Sequence, residues 1–225
     1  DQGLLFGPVL DRLPNARFVD REGKPATVTD FTVPVEGLAV PWRMAQVVFI
    51  HDSARVRTPP RSMAELAEWA RANPGRTTHP NVRNFMGVTF LKQALYELAP
   101  DTDALMRPVT DDTLRPATEA LWAWYDRLRP NLWRRGTAFP ENGPAQRPLM
   151  LDGELDIYIS FNPAEAAVSV ANGQLPATAR SFVLERGTIG NASFVAVPYN
   201  AANPAAAMVA ADFLLSAESQ AHAQD

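Results

Sequence analysis

The chain has 225 residues, a formal net charge of −4 and a sequence pI near 5.4. With 46% hydrophobic residues it is long enough for one large or two small domains with cores, and its acidic balance provides no basic face for nucleic acid. The absence of cysteine excludes disulfides, cysteine metal sites and thiol nucleophiles. No run of about 18 apolar residues, the length that spans a membrane, occurs in the sequence.

The chain begins at Asp1 without an initiator methionine and ends at Asp225 directly after a helical pattern. It contains no charged, apolar and small-residue sequence of the kind that forms a signal peptide. We therefore expect a processed or trimmed protein.

The first predicted element is a buried strand that follows a loop-rich stretch. Residues 1–40 are interrupted by proline and glycine turns and predict no long helix. The continuous apolar run at residues 47–50 is typical of a strand that is buried on both faces. The polar residues His51, Asp52 and Ser53 close this strand.

A capping box opens the first predicted helix. Ser62 is followed three positions later by Glu65, and an apolar helical pattern continues from there. The Asn-Pro-Gly sequence at 73–75 ends this helix. Residues 76–79 then form a short stretch that favours a strand.

The next helix carries the first candidate site. Residues 84–89 are mostly small or polar, and apolar residues recur at helical spacing over residues 90–98. We expect the 84–89 loop to leave backbone N–H groups free where the helix begins. In an open α/β sheet, such a loop binds a polar ligand, although an ordinary strand-to-helix connection shows the same pattern.

The rest of the chain alternates between helices and strands. The predicted elements are a helix with Pro116 in its first turn and an apolar stripe at 121–128, strands at 155–161, 182–184 and 193–197, and helices that start at Asn162-Pro163 and Asn203-Pro204. This alternation predicts an α/β fold with a mainly parallel or mixed sheet.

Several short motifs together resemble a known family. They are the 90–98 helix, the Trp-Arg-Arg-Gly turn at 133–136, the Asp-Gly-Glu at 152–154, the Gly-Thr-Ile-Gly-Asn at 187–191 and the helix end at 213–220. Over residues 3–220, their order resembles the family-1 extracellular solute-binding proteins of bacterial ABC importers, most closely the YnjB-type subgroup. The 90–98 helix and the 133–136 turn are the more specific part of the resemblance.

The resemblance implies a type II periplasmic-binding-protein-like α/β fold, in which two lobes are joined by a two-strand hinge and the first lobe is incomplete in this chain. Residues 1–52 then hold part of lobe 1 and the outgoing hinge strand, and residues 53–181 form lobe 2. Residues 182–225 hold the return hinge strand and a lobe 1 helix. In such a protein the lobes close over a solute while the hinge strands absorb the rotation.

The expected ligand contacts are backbone groups at a helix start and a few polar or aromatic side chains. The candidate ligand-binding residues are Trp42, Asp52, Ser53, Gly87, Val88, Thr89, Trp133, Arg134, Asn162 and Asn191. Free N–H groups at 87–89 favour an anionic or carbonyl group, whereas Trp42 favours a flat or cationic group.

Each candidate also has a purely structural interpretation. Helix capping explains Thr89 and Asn162, and core packing explains Trp42. Bonds to the local backbone explain Asp52 and Ser53, and coverage of the lobe surface explains Trp133 and Arg134. Asn191 then holds the return crossover strand in place.

Enzyme and metal-site interpretations find less support. The triad residue types at 51–53 are consecutive and cannot form the triad geometry, and no Gly-x-Ser-x-Gly or Gly-rich phosphate loop is present. Iron-binding relatives of this superfamily use adjacent tyrosines, whereas the tyrosines at 96, 125, 158 and 199 are scattered. We expect no catalytic residue, no metal and no cofactor.

We therefore predict a periplasmic, monomeric and non-enzymatic component of an ABC importer, whose signal peptide lies outside this chain. It captures a small polar solute between two lobes and delivers it to a permease in the inner membrane. The alternatives are an α/β transferase or hydrolase and a two-lobed sensory ligand-binding domain. The residues leave open whether the solute is thiamine-like, cationic or anionic.

Overall fold

A computed structural model describes residues 3–31 and 33–223. The chain forms two compact units, of which unit 1 comprises Asp1–Gln46 and Gly190–Asp225 and unit 2 comprises Val47–Ile189. The strand that ends at Asp52 pairs within unit 2, so the division between the units falls at 46/47 and 189/190. The lobe boundaries at 52/53 and 181/182 stay a prediction. Among the described residues, no helix combines the length and apolar character needed to cross a membrane.

The described residues form short strands, α-helices and 3₁₀ turns. The strands are β1 (Thr29–Asp30), β2 (Val33–Pro34), β3 (Ala39–Gln46), β4 (Val48–Asp52), β5 (Ile157–Ser160), β6 (Ala179–Phe182) and β7 (Gly190–Ala196). The α-helices are α1 (Met63–Ala72), α2 (Phe85–Leu98), α3 (Asp111–Leu128), α4 (Gln146–Leu151), α5 (Glu165–Ala171), α6 (Pro204–Leu215) and α7 (Ala217–His222). The described residues before β3 form short 3₁₀ turns and no long helix, which agrees with the sequence analysis.

Unit 2 is built on a three-stranded sheet with β4 in the centre, flanked by β5 and β6. Both pairings are antiparallel, and a single parallel bridge joins Thr77 to Ile157 at the β5 edge. The mixed α/β class is thus confirmed, but a parallel majority is not found among the described strands. Long helical connections allow a strand to enter the sheet from either end, so alternation alone does not fix the direction.

The two faces of this sheet carry separate cores. On one face, Val47 and Phe49 pack with α1, α2 and α3 around Trp124. On the other face, Val48 and Ile50 pack with the α4 and α5 region. Because successive strand residues point to opposite faces, burial on both sides requires the unbroken apolar run that predicted this strand.

The predicted capping box of α1 forms with a small change. Glu65 N donates to Ser62 Oγ at 3.0 Å, as expected, while the Glu65 carboxylate accepts from Arg61 N at 2.8 Å, one residue before the cap. The carboxylate therefore stabilises the turn that enters the helix.

The strand predicted at 182–184 was misplaced towards the C-terminus. The observed β6 begins at Ala179, pairs with β4 through Asp52 and Phe49, and ends at Phe182. Its residues Arg180 and Ser181 are exposed, so the strand lacks the apolar pattern that marks a buried strand in the sequence. Pairing with β4, rather than local composition, decides its position.

The described part of unit 1 has one small core and two two-stranded sheets, β1–β2 and β3–β7. β3 and β7 pair antiparallel from Ala39–Ala196 to Gln46–Gly190, with a register shift between Pro41 and Arg43. The buried core residues are Val9, Leu10, Leu13, Val40, Ala211 and Leu215. The helix α6 starts at the predicted place, where Asn203 Oδ1 accepts from Ala206 N at 3.0 Å.

Candidate functional site

In unit 2, the start of α2 differs from the predicted loop. Asn84 is the cap residue, since its Oδ1 accepts from Met86 N at 2.9 Å. Val88 N donates to Asn84 O at 3.2 Å, so this N–H belongs to the helix and is not available to a ligand. The first turn of α2 begins at Phe85, and within that turn the N–H of Met86 already binds the cap residue Asn84.

Gly87 and Thr89 have structural roles in the first turns of α2. A Cβ at Gly87 would lie 2.3 Å from the backbone oxygens of Pro80 and Asn81, so only glycine allows this close approach. Thr89 Oγ1 donates to Phe85 O at 2.8 Å, so the residue does not cap the helix. Val88 remains partly exposed beside them.

The start of α2 meets the end of β5 through two aromatic rings. The centroids of Phe85 and Phe161 lie 5.6 Å apart in an edge-to-face arrangement, and Phe85 is 54% exposed. Asn162 follows in the turn before α5, where its Oδ1 accepts from Ala164 N at 3.1 Å. Of the predicted residues, Gly87, Val88 and Thr89 thus lie in the first turns of α2, and Asn162 lies just after β5.

A buried carboxylate that the sequence analysis did not identify holds the end of β5. Glu165 accepts hydrogen bonds from Tyr158 Oη at 2.8 Å, from Arg147 Nε at 3.1 Å and from Ser160 Oγ. Burial and the adjacent carboxylate raise the pKa of Tyr158, so its hydroxyl stays a proton donor. This network fixes the backbone that precedes Asn162.

Asp52 and Ser53 lie at the opposite end of β4, because β4 runs antiparallel to β5 and Val48 pairs with Ser160. Asp52 Oδ1 accepts from Thr178 Oγ1 at 2.6 Å and from Ala54 N at 3.0 Å. Ser53 Oγ donates to Thr178 O at 2.8 Å. Both side chains therefore bind neighbouring protein groups.

An ion-pair network extends this end of the sheet. The Arg76 guanidinium binds Asp156 through two nitrogens and donates to Gly153 O at 2.6 Å. Arg55 also lies 3.4 Å from Asp156 Oδ1. The side-chain bond to Asp156 raises the pKa of Arg76, which is the expected effect of a bidentate carboxylate.

Trp133 and Arg134 form a pair beside the same end of the sheet. Trp133 N donates to Thr77 O at 2.8 Å, and its Nε1 donates to Glu154 Oε2 at 2.7 Å. The Arg134 guanidinium carbon lies 4.2 Å from the Trp133 ring centroid, in cation–π contact. Arg134 and Arg135 both have positive φ, 50° and 57°, which is unusual for residues with a side chain.

Unit 1 contains the remaining predicted residues, Trp42 and Asn191. Asn191 is buried in β7, where its Nδ2 donates to Asp30 Oδ1 and to Ala192 O, both at 2.8 Å. Its Oδ1 accepts from Phe31 N at 3.1 Å. The side chain thus fastens the β1 turn to β7, in agreement with the structural interpretation.

Trp42 lines a cavity of about 180 Å³ that lies wholly in unit 1. The cavity is lined by Phe18, Val19, Asp20, Lys24, Thr27, Pro41, Trp42, Arg43, Met44, Ala192, Leu215 and Gln220. Trp42 falls at the register shift of β3, and its carbonyl accepts from Gln220 Nε2 at 2.6 Å. Sequence reasoning identified only Trp42, because the other lining residues come from turns, two strands and two helices that no local pattern joins.

The two described histidines that are buried have protein partners. His51 Nδ1 lies 3.0 Å from Val56 O, and burial lowers the pKa of this ring. His79 stacks between Phe90 and Phe139, with centroid distances of 4.7 and 4.8 Å, and burial lowers its pKa to about 4. Within residues 3–31 and 33–223, no group of three or more His, Asp or Glu is placed to hold a metal ion.

Comparison with known proteins places the chain in a family. The model of the bacterial extracellular solute-binding proteins matches residues 9–224. The chain belongs to this family. It is 41% identical, over 215 residues, to the protein YnjB of Escherichia coli strain K12, and this alignment covers 96% of the chain but 55% of YnjB. The chain therefore spans about half the length of the curated relative it matches.

Solved structures show the same fold at low identity. The substrate-binding protein PotD of a spermidine/putrescine ABC transporter from Streptococcus pneumoniae superposes with a TM-score of 0.67 at 12% identity, covering 96% of this chain and 58% of PotD. The periplasmic binding protein AfuA of Actinobacillus pleuropneumoniae, with fructose-6-phosphate bound, gives a TM-score of 0.59 at 17% identity, covering 97% of this chain and 59% of AfuA. The type II periplasmic-binding-protein-like α/β fold expected from the sequence is thereby confirmed.

Proposed function

We propose that this protein is the periplasmic solute-binding component of an ABC importer and that it delivers a small polar solute to a membrane permease. The observation that carries the proposal is the family match over residues 9–224 together with 41% identity to YnjB. Because the chain spans 55% of YnjB, we expect this chain to contribute part of the solute contacts of the whole protein.

In unit 2, the face formed by the start of α2 and the end of β5 supports this proposal best. It combines exposed aromatic surface at Phe85 with the polar turn at Asn162 that follows β5. Aromatic surface and a few oriented polar groups are what a small-molecule site requires. The Asp52, Ser53 and Arg76 end supports it less, since its polar groups bind one another.

The candidate solute class is left open by the relatives. PotD belongs to a transporter of spermidine and putrescine, which are cations, whereas AfuA holds fructose-6-phosphate, which is an anion. The same fold therefore serves solutes of opposite charge, so charge must be decided by the side chains of this chain. We propose in addition that the protein acts without catalysis, as do substrate-binding proteins of transporters.

A thermal-shift screen tests the proposal. The ligands are thiamine, polyamines, amino acids, sugars, sugar phosphates and oxyanions, because a ligand that binds only the native state raises the melting temperature. We expect one chemical class to raise it and no ligand to be converted to a product. Conversion of a ligand by the protein would contradict the proposal.

A matched pair of variants then locates the site. We expect Phe85→Ala to abolish the ligand-induced shift and Phe213→Ala to leave it unchanged. The two phenylalanines are 54% and 55% exposed, so loss of a surface ring is common to both variants. An equal effect of the two variants would place the solute elsewhere than at the start of α2.

A further inference from the structure

The helix α6 of unit 1 carries an apolar stripe on its exposed side. The exposed residues that recur there at helical spacing are Ala206, Val209, Ala210 and Phe213. Val209 is 71% exposed and Phe213 is 55% exposed. A helix at the surface of a protein normally carries polar and charged residues on its solvent side, so this stripe is unusual.

The one charged residue of α6 is held by the protein instead. Asp212 is partly buried, and its carboxylate accepts from Asn15 N at 2.8 Å and from Asn15 Nδ2 at 3.0 Å. Ala211 and Leu215 pack in the core of unit 1. The helix is therefore apolar on its exposed side as well as on its buried side, which is typical of a helix that is enclosed all round.

Further apolar surface is exposed in the segment that precedes α6. Tyr199 is 62% exposed and Leu4 is 57% exposed. Tyr199 N donates to Leu4 O at 3.0 Å, and Phe6 N donates to Val197 O at 2.8 Å, so these two segments pair with each other. Exposed apolar surface of this kind marks places where other protein packs.

The relatives of this chain contain additional sequence. The alignment covers 55% of YnjB, and the superpositions cover 58% of PotD and 59% of AfuA. Unit 2 already has a core on each face of its sheet, whereas unit 1 has one small core. Additional chain that packs on unit 1 would therefore bury apolar surface that is exposed at present.

We propose that the exposed face of α6 is an internal surface of the whole protein and that sequence outside residues 1–225 packs on it. The occupant is an apolar helix or strand of the same polypeptide, in the part that the relatives carry beyond the shared region. The alanines at 206 and 210 lie beside the larger Val209 and Phe213, so a second element can interdigitate with this face. In residues 1–225 alone the face stays exposed.

Thiol labelling of the full-length product of the gene tests the proposal. Residues 1–225 contain no cysteine, so an introduced cysteine is the sole thiol once any cysteine outside them is replaced by serine. The two variants are Val209→Cys on α6 and, as the matched control, Val168→Cys on α5 of unit 2. The maleimide reaction rate of each native variant is divided by its rate in denaturant, and the melting temperature verifies that both variants are folded.

The proposal reverses the order of rates that exposure alone predicts. Val209 is 71% exposed and Val168 is 42% exposed, so residues 1–225 by themselves predict faster labelling at 209. We expect Val209→Cys to react at least about tenfold more slowly than Val168→Cys, because a packed thiol reacts only when its contacts open.

Two results would overturn the proposal. One is labelling of Val209→Cys that is as fast as that of Val168→Cys, which would show that α6 stays exposed in the full-length protein. The other is slow labelling of Val209→Cys that becomes fast on dilution, because the occupant would then be a second copy of the protein.

Discussion

The two units bury their apolar surface to different degrees. In unit 2, a three-stranded sheet is covered on both faces and encloses large buried side chains such as Trp124 and Tyr158. In unit 1, the β3–β7 pair packs on a single small cluster of the described residues, and α6 leaves Val209 and Phe213 exposed by 71% and 55%. A strand pair alone is only marginally stable in water, so we expect specific polar bonds to contribute a larger share of the stability in unit 1 than in unit 2.

The strongest test of this contrast is Trp124→Ala in unit 2. Trp124 is 2% exposed and its Nε1 donates to Met63 O at 2.8 Å, so truncation leaves a cavity and an unpaired carbonyl. We expect the free energy of unfolding to fall by about 3–5 kcal/mol in urea denaturation. Trp122→Ala, on the same helix but 48% exposed, is the control and should cost far less.

Acid should weaken unit 2 through His79. Burial lowers the pKa of this ring from 6.5 to about 4, so the unfolded state binds the proton first as pH falls. The stabilisation is complete above pH 6.5 and is lost down to pH 4, by about 3 kcal/mol in the free energy of unfolding. Burial also lowers the pKa of His51, which acts in the same direction.

Urea titrations at several pH values check this expectation. The variant His79→Gln removes the titrating ring, so its free energy of unfolding should vary less between pH 6.5 and 4 than that of the unmodified protein. An unchanged pH dependence in this variant would show that other groups cause the acid sensitivity.

In unit 1, we expect the hydrogen bonds of one buried polar side chain, Asn191, to contribute most to the free energy of unfolding. Asn191→Ala removes the bonds to Asp30, Phe31 and Ala192 and leaves buried groups unpaired. We expect a loss of about 1–3 kcal/mol in the free energy of unfolding. The exposed Asn200→Ala is the control, and an equal loss there would contradict the role given to Asn191.

The smallest expected effect is that of Val209→Ser on the outer face of α6. Because Val209 is 71% exposed, the change in the free energy of unfolding should stay within about 0.5 kcal/mol. Ala211→Ser, which places a hydroxyl at a position 5% exposed in the same helix, should cost more. A large loss of unfolding free energy at Val209 would mean that this face of α6 is packed in solution. The two units would then differ less in how much apolar surface they bury.

Local signals in the sequence predicted the elements that depend on local physics. The apolar run at 47–50, the capping box at Ser62 and the Asn203-Pro204 start each describe interactions between near neighbours. The prediction for the position of β6 was wrong, because that position is set by pairing with β4, which lies more than a hundred residues earlier in the chain. Local patterns also could not predict the Arg76–Asp156 ion pair, because its two residues lie 80 positions apart in the sequence.

The candidate site residues were predicted less completely than the secondary structure, because the fold brings together residues that are distant in the sequence. The sequence indicated Trp42 and the start of α2, where an aromatic or a helix start is visible in the pattern. It placed that helix start too late, since Phe85 begins the helix that residues 90–98 had predicted. It also missed Lys24 and Phe18, because only the folded turns of unit 1 bring them to the wall that contains Trp42.

The distribution of tryptophan has a practical consequence for spectroscopy. Trp42 is the tryptophan of unit 1, and the other four, at 69, 122, 124 and 133, belong to unit 2. Intrinsic fluorescence of Trp42→Phe therefore reports on unit 2 alone, and the difference from the unmodified protein reports on unit 1. Emission spectra recorded during denaturation thus assign each unfolding step to its part of the chain without any added dye.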